Sequence, residues 1–402
     1  MERRELLSTI FVSVSILLGL LSTKLLLLIL PFYALFLRKT SGPIVFSFRE
    51  WILLGVVSTY VAVGLIFSVF RFNSLSFAID LLTVTIVSLI VRRDKYLSSR
   101  VIDVMGVIFN VLASILLVLN IVFYIVHHYE CVSVLGFESL TDFKLLYLPL
   151  FMLCNDNATM LLCFLPFLTL MSIAMRKRKI KLWSLVNMSM CVLSIIFSYS
   201  RGAYFSMFFF FLITFVLIFL FRREQLKRMM FILLMSMLPA ICVVFLSQPI
   251  RTSVETTVSL FKTESQRRSF NSRVERLKNV SSDAVLFGKG DGNYFISNLK
   301  SKTEYDTLVS ASSNNMALQL WEERGIVGYA FVVSIAILLG GMVLKNIRRG
   351  NICALLMVAG ILALILRELS FASMTRISSV FFLCVVMLFL SSVYHKREYE
   401  KV

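Results

Sequence analysis

The sequence predicts an all-α polytopic membrane protein of about twelve transmembrane helices, because apolar runs of roughly twenty residues recur along the whole chain. Two further observations agree. Only 16% of the 402 residues are charged, 58% are hydrophobic and mean hydropathy is +0.85, against about a quarter charged and roughly half apolar in soluble domains. The basic residues also gather in alternate short connections, as they do on the cytoplasmic side of a membrane. Thirty-six phenylalanines among Leu, Ile and Val runs exceed what a water-soluble core can hide, so lipid must solvate much of the surface.

The apolar segments lie at 6–22, 25–37, 51–68, 74–91, 101–126, 158–175, 182–199, 203–221, 229–247, 325–344, 352–366 and 377–394. The second is short and reads as a tight hairpin with the first. The start, Met-Glu-Arg-Arg before an apolar run, resembles a signal peptide. No small-residue cleavage site follows, so it reads as a retained first helix. With the N-terminus inside, the short cytoplasmic segments carry Arg3 and Arg4; Arg38, Lys39 and Arg49; Arg92, Arg93, Lys95 and Arg100. They continue with Arg176 to Lys179 and Lys181; Arg222, Arg223, Lys227 and Arg228; Lys345, Arg348 and Arg349; and Lys396, Arg397 and Lys401. These are well over half of the 41 Lys and Arg residues. The alternation puts both termini in the cytoplasm and accounts for most of the +18 net charge, which excludes nucleic acid as the partner that the charge implies.

The chain divides into helices 1–9 over 1–247, a long external loop over 248–324, and helices 10–12 with a cytoplasmic tail over 325–402. A shorter external segment, 127–157, holds His127, His128, Cys131 and Cys154. An oxidising compartment permits a disulfide between those cysteines, and two unpaired thiols fit as well. The seven cysteines stand singly and the three histidines form no Cys/His cluster, so no zinc site is expected. No carboxylate cage for a divalent ion is visible either, and the expected cofactor set is empty.

Candidate chemistry falls on external positions. Arg201, in Phe-Ser-Tyr-Ser-Arg-Gly-Ala-Tyr, sits in a turn of a few residues between two spans. A guanidinium held at the membrane interface is a functional candidate, with a snorkelling helix anchor as the plainer reading. Gly202 favours a tight turn that would orient it. In the long loop, 264–278 reads as an amphipathic or simply solvated helix carrying Arg267, Arg268, Arg273 and Arg276. Beyond it, Leu-Phe-Gly-Lys-Gly-Asp-Gly-Asn-Tyr-Phe (286–295) offers Gly288, Gly290 and Gly292, whose backbone N–H groups can approach an anion. It is not a P-loop, since no Gly-Lys-Ser/Thr follows. With the arginines, it points to a phosphate-bearing ligand, because the guanidinium fork binds two oxygens at once. Asn314 and Asn315 then open a helix, with Gln319, Glu322, Glu323 and Arg324 clustered before Gly325. Asp80, deep in an apolar run, is a candidate for an ion or proton pathway. Asp103 reads as structural beside Arg100. Arg367, Glu368 and Arg376 either line the Arg201 cavity or decorate the surface.

In this order, the Ser-Arg-Gly turn at 200–202, the Arg-rich loop helix, Leu-Phe-Gly-x-Gly-x-Gly-Asn-Tyr, and Asn-x-x-Leu-Gln-Leu with Glu-x-Gly-Ile-x-Gly over 315–328 resemble the O-antigen ligase/polymerase superfamily. The resemblance covers mainly 195–330. It implies a GT-C-like fold in the bacterial inner membrane, with the long loop periplasmic between helices 9 and 10. The implied substrate is a glycan on undecaprenyl pyrophosphate, and the implied enzyme is a glycosyltransferase, with a chain-length regulator as a possible partner beside the bilayer. Arg201 and one loop arginine, Arg267, Arg268 or Arg273, would hold the pyrophosphate. The ligases carry His where this chain has Asn314. Asn cannot serve as a base near neutral pH, so the departure favours a polymerase, or a carboxylate such as Glu304 or Asp306 in that role. A transporter would show internal repeats and helices broken at the bilayer midplane, and neither is visible.

Overall fold

The computed structural model describes residues 3–21, 26–41, 46–68, 71–92, 101–134, 154–198, 200–248, 250–251, 255, 286–288, 316–348 and 350–370. These residues form the helices α1 Arg3–Leu21, α2 Leu26–Ser41, α3 Phe48–Ile66, α4 Arg71–Arg92, α5 Val101–Val134 and α6 Cys154–Ala174. They continue with α7 Arg178–Phe197, α8 Arg201–Phe221, α9 Leu226–Leu246, α10 Met316–Arg348 and α11 Ile352–Ser370, and a short 3-10 turn at Arg223–Gln225. No strand occurs among the described residues. The predicted span 377–394 lies outside them.

Among the described residues, five helical stretches are long and apolar enough to cross a membrane: Gly106–His127, Asn157–Ala174, Arg178–Phe197, Gly202–Phe221 and Arg223–Leu246. Glu50–Ile66, Ala78–Val87 and Ile352–Arg367 are shorter apolar helices. Their outward faces are oily. α8 exposes Phe205, Phe208 and Leu220, and α9 exposes Phe231, Leu234 and Phe245. Such apolar surface on both helices is stable in lipid and not in water.

One helix outruns the sequence reading and another joins two segments that the reading kept apart. α5 runs on to Val134, through His127, because no Gly or Pro interrupts the chain until Gly136 and a polar helix end is tolerated at an interface. α10 begins at Met316, in keeping with the helix start read at 314–315, and its backbone breaks at Gly325 (φ 57°, ψ −149°), merging that helix with the predicted span. The break falls at the start of that span, not within it.

Two compact units form, one from 1–105, 276–351 and 374–402, the other from 106–275 and 352–373. In the first, α1 packs on α2, α4 packs on α2 and α3, and α10 meets α3. Phe11 stacks on Tyr33 with centroids 5.3 Å apart. The start of α3 is set locally: the Glu50 carboxylate accepts from both the N–H and the hydroxyl of Ser47, each at 2.7 Å, satisfying a donor that a helix start would otherwise leave bare. Asp80 is buried in α4, and its Oδ1 has no hydrogen-bond partner among the described residues.

In the second unit, α7 packs on α6 and α9, and α11 packs on α8 and α6. Gly360 lets α11 approach Pro166 of α6 where a methyl would collide. A buried polar network joins α5 to α7. Asn110 donates to Ser184 Oγ at 2.8 Å, Asn187 donates to Asn110 Oδ1 at 2.9 Å, and Ser114 donates to Asn187 Oδ1 at 2.9 Å. Trp183 Nε1 donates to Ser114 Oγ at 2.8 Å. Lipid gives apolar faces no reason to associate, so hydrogen bonds of this kind select which helices pair, at about 0.6 kcal/mol each and up to about 1.7 kcal/mol. Arg228 donates to the carbonyls of Ser172 and Ile173 at 3.3 and 3.0 Å, placing a cation on the unpaired carbonyls at the end of α6.

Candidate functional site

The turn that carries Arg201 is built by serines. Ser198 Oγ donates to Ile195 O at 2.6 Å and accepts from the Ser200 N–H at 3.3 Å. Ser200 is the N-cap of α8, and its carbonyl accepts from Ala203 and Tyr204, both at 3.0 Å. Tyr204 reaches back to donate its hydroxyl to Ile196 O at 2.6 Å, clamping the end of α7 to the start of α8. Arg201 is therefore the first residue of a helix. The first N–H groups of that N-terminus lack helical acceptors and carry a partial positive charge, which favours an anion. The turn is as short as the sequence implies, but Gly202 does not make it. Gly202 is the second helical residue and is not among the described glycines with positive φ, which are Gly288, Gly325 and Gly350.

In the other unit, three consecutive loop residues are docked. Leu286 O accepts from the Val327 N–H at 3.3 Å. The break at Gly325 explains that bond: a helix restarting after it has N–H groups with no carbonyl behind them, and a loop carbonyl caps one. Phe287 stacks on Phe67, just beyond the end of α3, with centroids 4.1 Å apart and rings parallel. Gly288 has φ +65°, and a Cβ there would strike the peptide between Glu323 and Arg324. The close approach allowed by this glycine is thus to another stretch of chain.

Arg324 ends the first segment of α10 and is 1% exposed. Its NH1 donates to the Tyr60 carbonyl at 2.8 Å, and its guanidinium carbon lies 4.1 Å from the centre of the Tyr60 ring. Tyr60 stacks in turn on Phe331, with centroids 3.8 Å apart. Gly64, one helical turn after Tyr60, makes this possible: a side chain there would occupy the guanidinium's own volume. Gly328 likewise leaves room for the Arg324 Cβ. Glu322 and Glu323, which precede it, are also buried, at 6% and 4% exposure.

Of the residues singled out from sequence, Gly288 is described in full and Arg201 by its backbone. Arg267, Arg268, Arg273, Arg276, Gly290, Gly292, Asn314 and Asn315 lie outside the described residues, as do Glu304 and Asp306. Arg367 is buried, at 1% exposure, so it does not decorate the surface. The seat of Arg324 was missed. Its only sequence signal is a Tyr-x-x-x-Gly spacing in an apolar helix, which nothing local connects to residue 324.

No curated protein matches the chain. The stretch 186–333 opens within α7, closes within α10 and contains both the Arg201 turn and the Arg324 junction. It matches the family Wzy_C, O-antigen ligase, and over that stretch the chain is similar to the family.

Proposed function

We propose that this protein is an O-antigen polymerase. It joins oligosaccharide repeats carried on undecaprenyl pyrophosphate at the periplasmic face of the bacterial inner membrane, within a frame of twelve spans whose ends are cytoplasmic. The observation that carries the choice of polymerase is Asn314, which stands where the ligases of the resembled family carry His. An amide holds a hydroxyl by hydrogen bonding but does not take its proton. The family match and the positive helix start at Arg201 support the wider reading of a transferase acting on an anionic donor.

In the reaction, an acceptor sugar hydroxyl attacks the anomeric carbon of the donor glycan. The new glycosidic bond forms as the bond from that carbon to the lipid pyrophosphate breaks, and the pyrophosphate leaves with the electron pair. Arg201 and an arginine of the loop, Arg273 or its neighbours Arg267, Arg268 and Arg276, stabilise the growing negative charge. Gly290, Gly292 and Asn315 lie in the same loop as further donors to the substrate. The acceptor proton passes to a loop carboxylate, for which Glu304 and Asp306 are the candidates.

The second reading, a ligase that moves the lipid-linked glycan to lipid A–core, is favoured by the description of the matched family itself. A lipopolysaccharide gel of a deletion strain separates the two. A polymerase null leaves core bearing a single repeat, whereas core with no O-antigen would overturn the proposal in favour of a ligase. The more remote reading, a transporter of the lipid-linked sugar, predicts that purified protein makes no polymer from lipid-linked repeats.

A further inference from the structure

We propose that Arg324 is a positioning residue and not a ligand of the substrate: it anchors the Leu286–Gly288 end of the external loop to α3. This rests on reading that loop as part of the donor site.

Three observations converge on it. The guanidinium is turned into the protein, spending a donor on a main-chain carbonyl of α3 and one face on the Tyr60 ring. A cation committed in this way is a poor partner for a passing pyrophosphate, which needs donors presented to it. The peptide that begins Arg324 is the surface against which Gly288 packs, so the same residue grips α3 with its side chain and the loop with its backbone. Finally, the flanking loop residues dock on the same two elements, Leu286 on the restarted α10 and Phe287 on the end of α3. Moving the guanidinium off Tyr60 therefore shifts all three contacts together. The first residues of the glycine-rich run start from this fixed point, and Gly290 and Gly292 follow within four residues of it.

The glycines make the idea testable without touching a charge. Gly64→Ala puts a methyl where the guanidinium lies and leaves every other group in place. A ligand facing the substrate would be indifferent to that methyl.

The experiment places cysteines at Phe67 and Phe287 in the full-length protein. It measures their cross-linking by a short bis-maleimide in membranes, with the linked peptides identified by mass spectrometry so that the native cysteines do not confuse the result. Relative to the parent pair, Arg324→Gln and Gly64→Ala each lower the yield by about fivefold or more, the effect of losing one buried anchoring interaction. Arg324→Lys, whose ammonium can donate to the same carbonyl, restores most of the yield. Tyr60→Phe changes nothing, because the carbonyl and ring remain and its hydroxyl has no hydrogen-bond partner among the described residues.

In donor titrations with purified protein, Arg324→Gln lowers kcat and leaves KM for the lipid-linked repeat unchanged. The proposal is overturned if Gly64→Ala retains the parent cross-link, or if Arg324→Gln retains it while raising KM. Should Arg324→Gln fail to accumulate, Gly64→Ala against Arg324→Lys gives the same decision. If the cross-link follows the expected order but the parent protein makes no polymer, the anchor stands and the polymerase reading fails.

Discussion

Arg324 donates to the main-chain carbonyl of Tyr60 at 2.8 Å while its guanidinium carbon lies 4.1 Å from the centre of that residue's ring. One residue thus receives both the charge and the directional bond. A helical carbonyl has two lone pairs, and the helical N–H four residues on uses only one of them. In most helices, the side chain on that later residue blocks access to the other. Here that residue is Gly64, and the guanidinium fills the space. A hydrogen bond to a charged group contributes about 1.5–3 kcal/mol and a desolvated cation–π contact about 2 kcal/mol. Burying the charge costs a comparable amount, so what the arrangement confers is position more than stability.

Arg201→Ala abolishes the ladder of O-antigen chain lengths while the amount of protein in the membrane stays unchanged. Ser198, Ser200 and Tyr204 hold the local turn through their own hydrogen bonds. Lipopolysaccharide gels and a blot of the same strain check both halves, and an intact ladder would remove Arg201 from the site.

Gly288→Ala is destabilising on two counts. The left-handed backbone at φ +65° disfavours any side chain, at about 1–3 kcal/mol, and the added methyl meets main-chain atoms that cannot swing away. Thermal unfolding of the detergent-solubilised protein should show a lowered midpoint. The ladder should shorten at temperatures where the variant is still folded.

Gly325→Ala tests the break in α10. Its φ of 57° with ψ of −149° is a conformation essentially reserved for glycine, and alanine there costs about 1–3 kcal/mol. Either the break straightens or the helix strains, and both free the Val327 N–H from Leu286. Faster hydrogen exchange at Val327 is the expected readout.

Asn187→Leu leaves Asn110 and Ser114 buried without one of their partners, and the cost should be about 1–3 kcal/mol. Asn110→Leu with Asn187→Leu costs less than the sum of the two single changes, because removing both ends strands fewer polar atoms. A double-mutant cycle on the unfolding midpoint measures that coupling, and strict additivity would mean the network holds nothing.

Length and hydropathy located the helices. Whether a run of twenty apolar residues prefers lipid, and on which side its flanking arginines rest, are properties of the local chain. The helix positions agree closely with that reading for α3, α4 and α6 through α9, and the glycine run at 286–292 marked Gly288 as a place of close approach. Tertiary structure decided what those residues touch. Tyr60 and Arg324 are 264 positions apart, and Asn110 and Asn187 are 77 apart. No periodicity connects such pairs, because in lipid the choice of neighbour depends on which few polar groups find each other. The same holds for the empty side of Gly288. A glycine announces that something must come close, and only the packed chain shows that it is the peptide between Glu323 and Arg324.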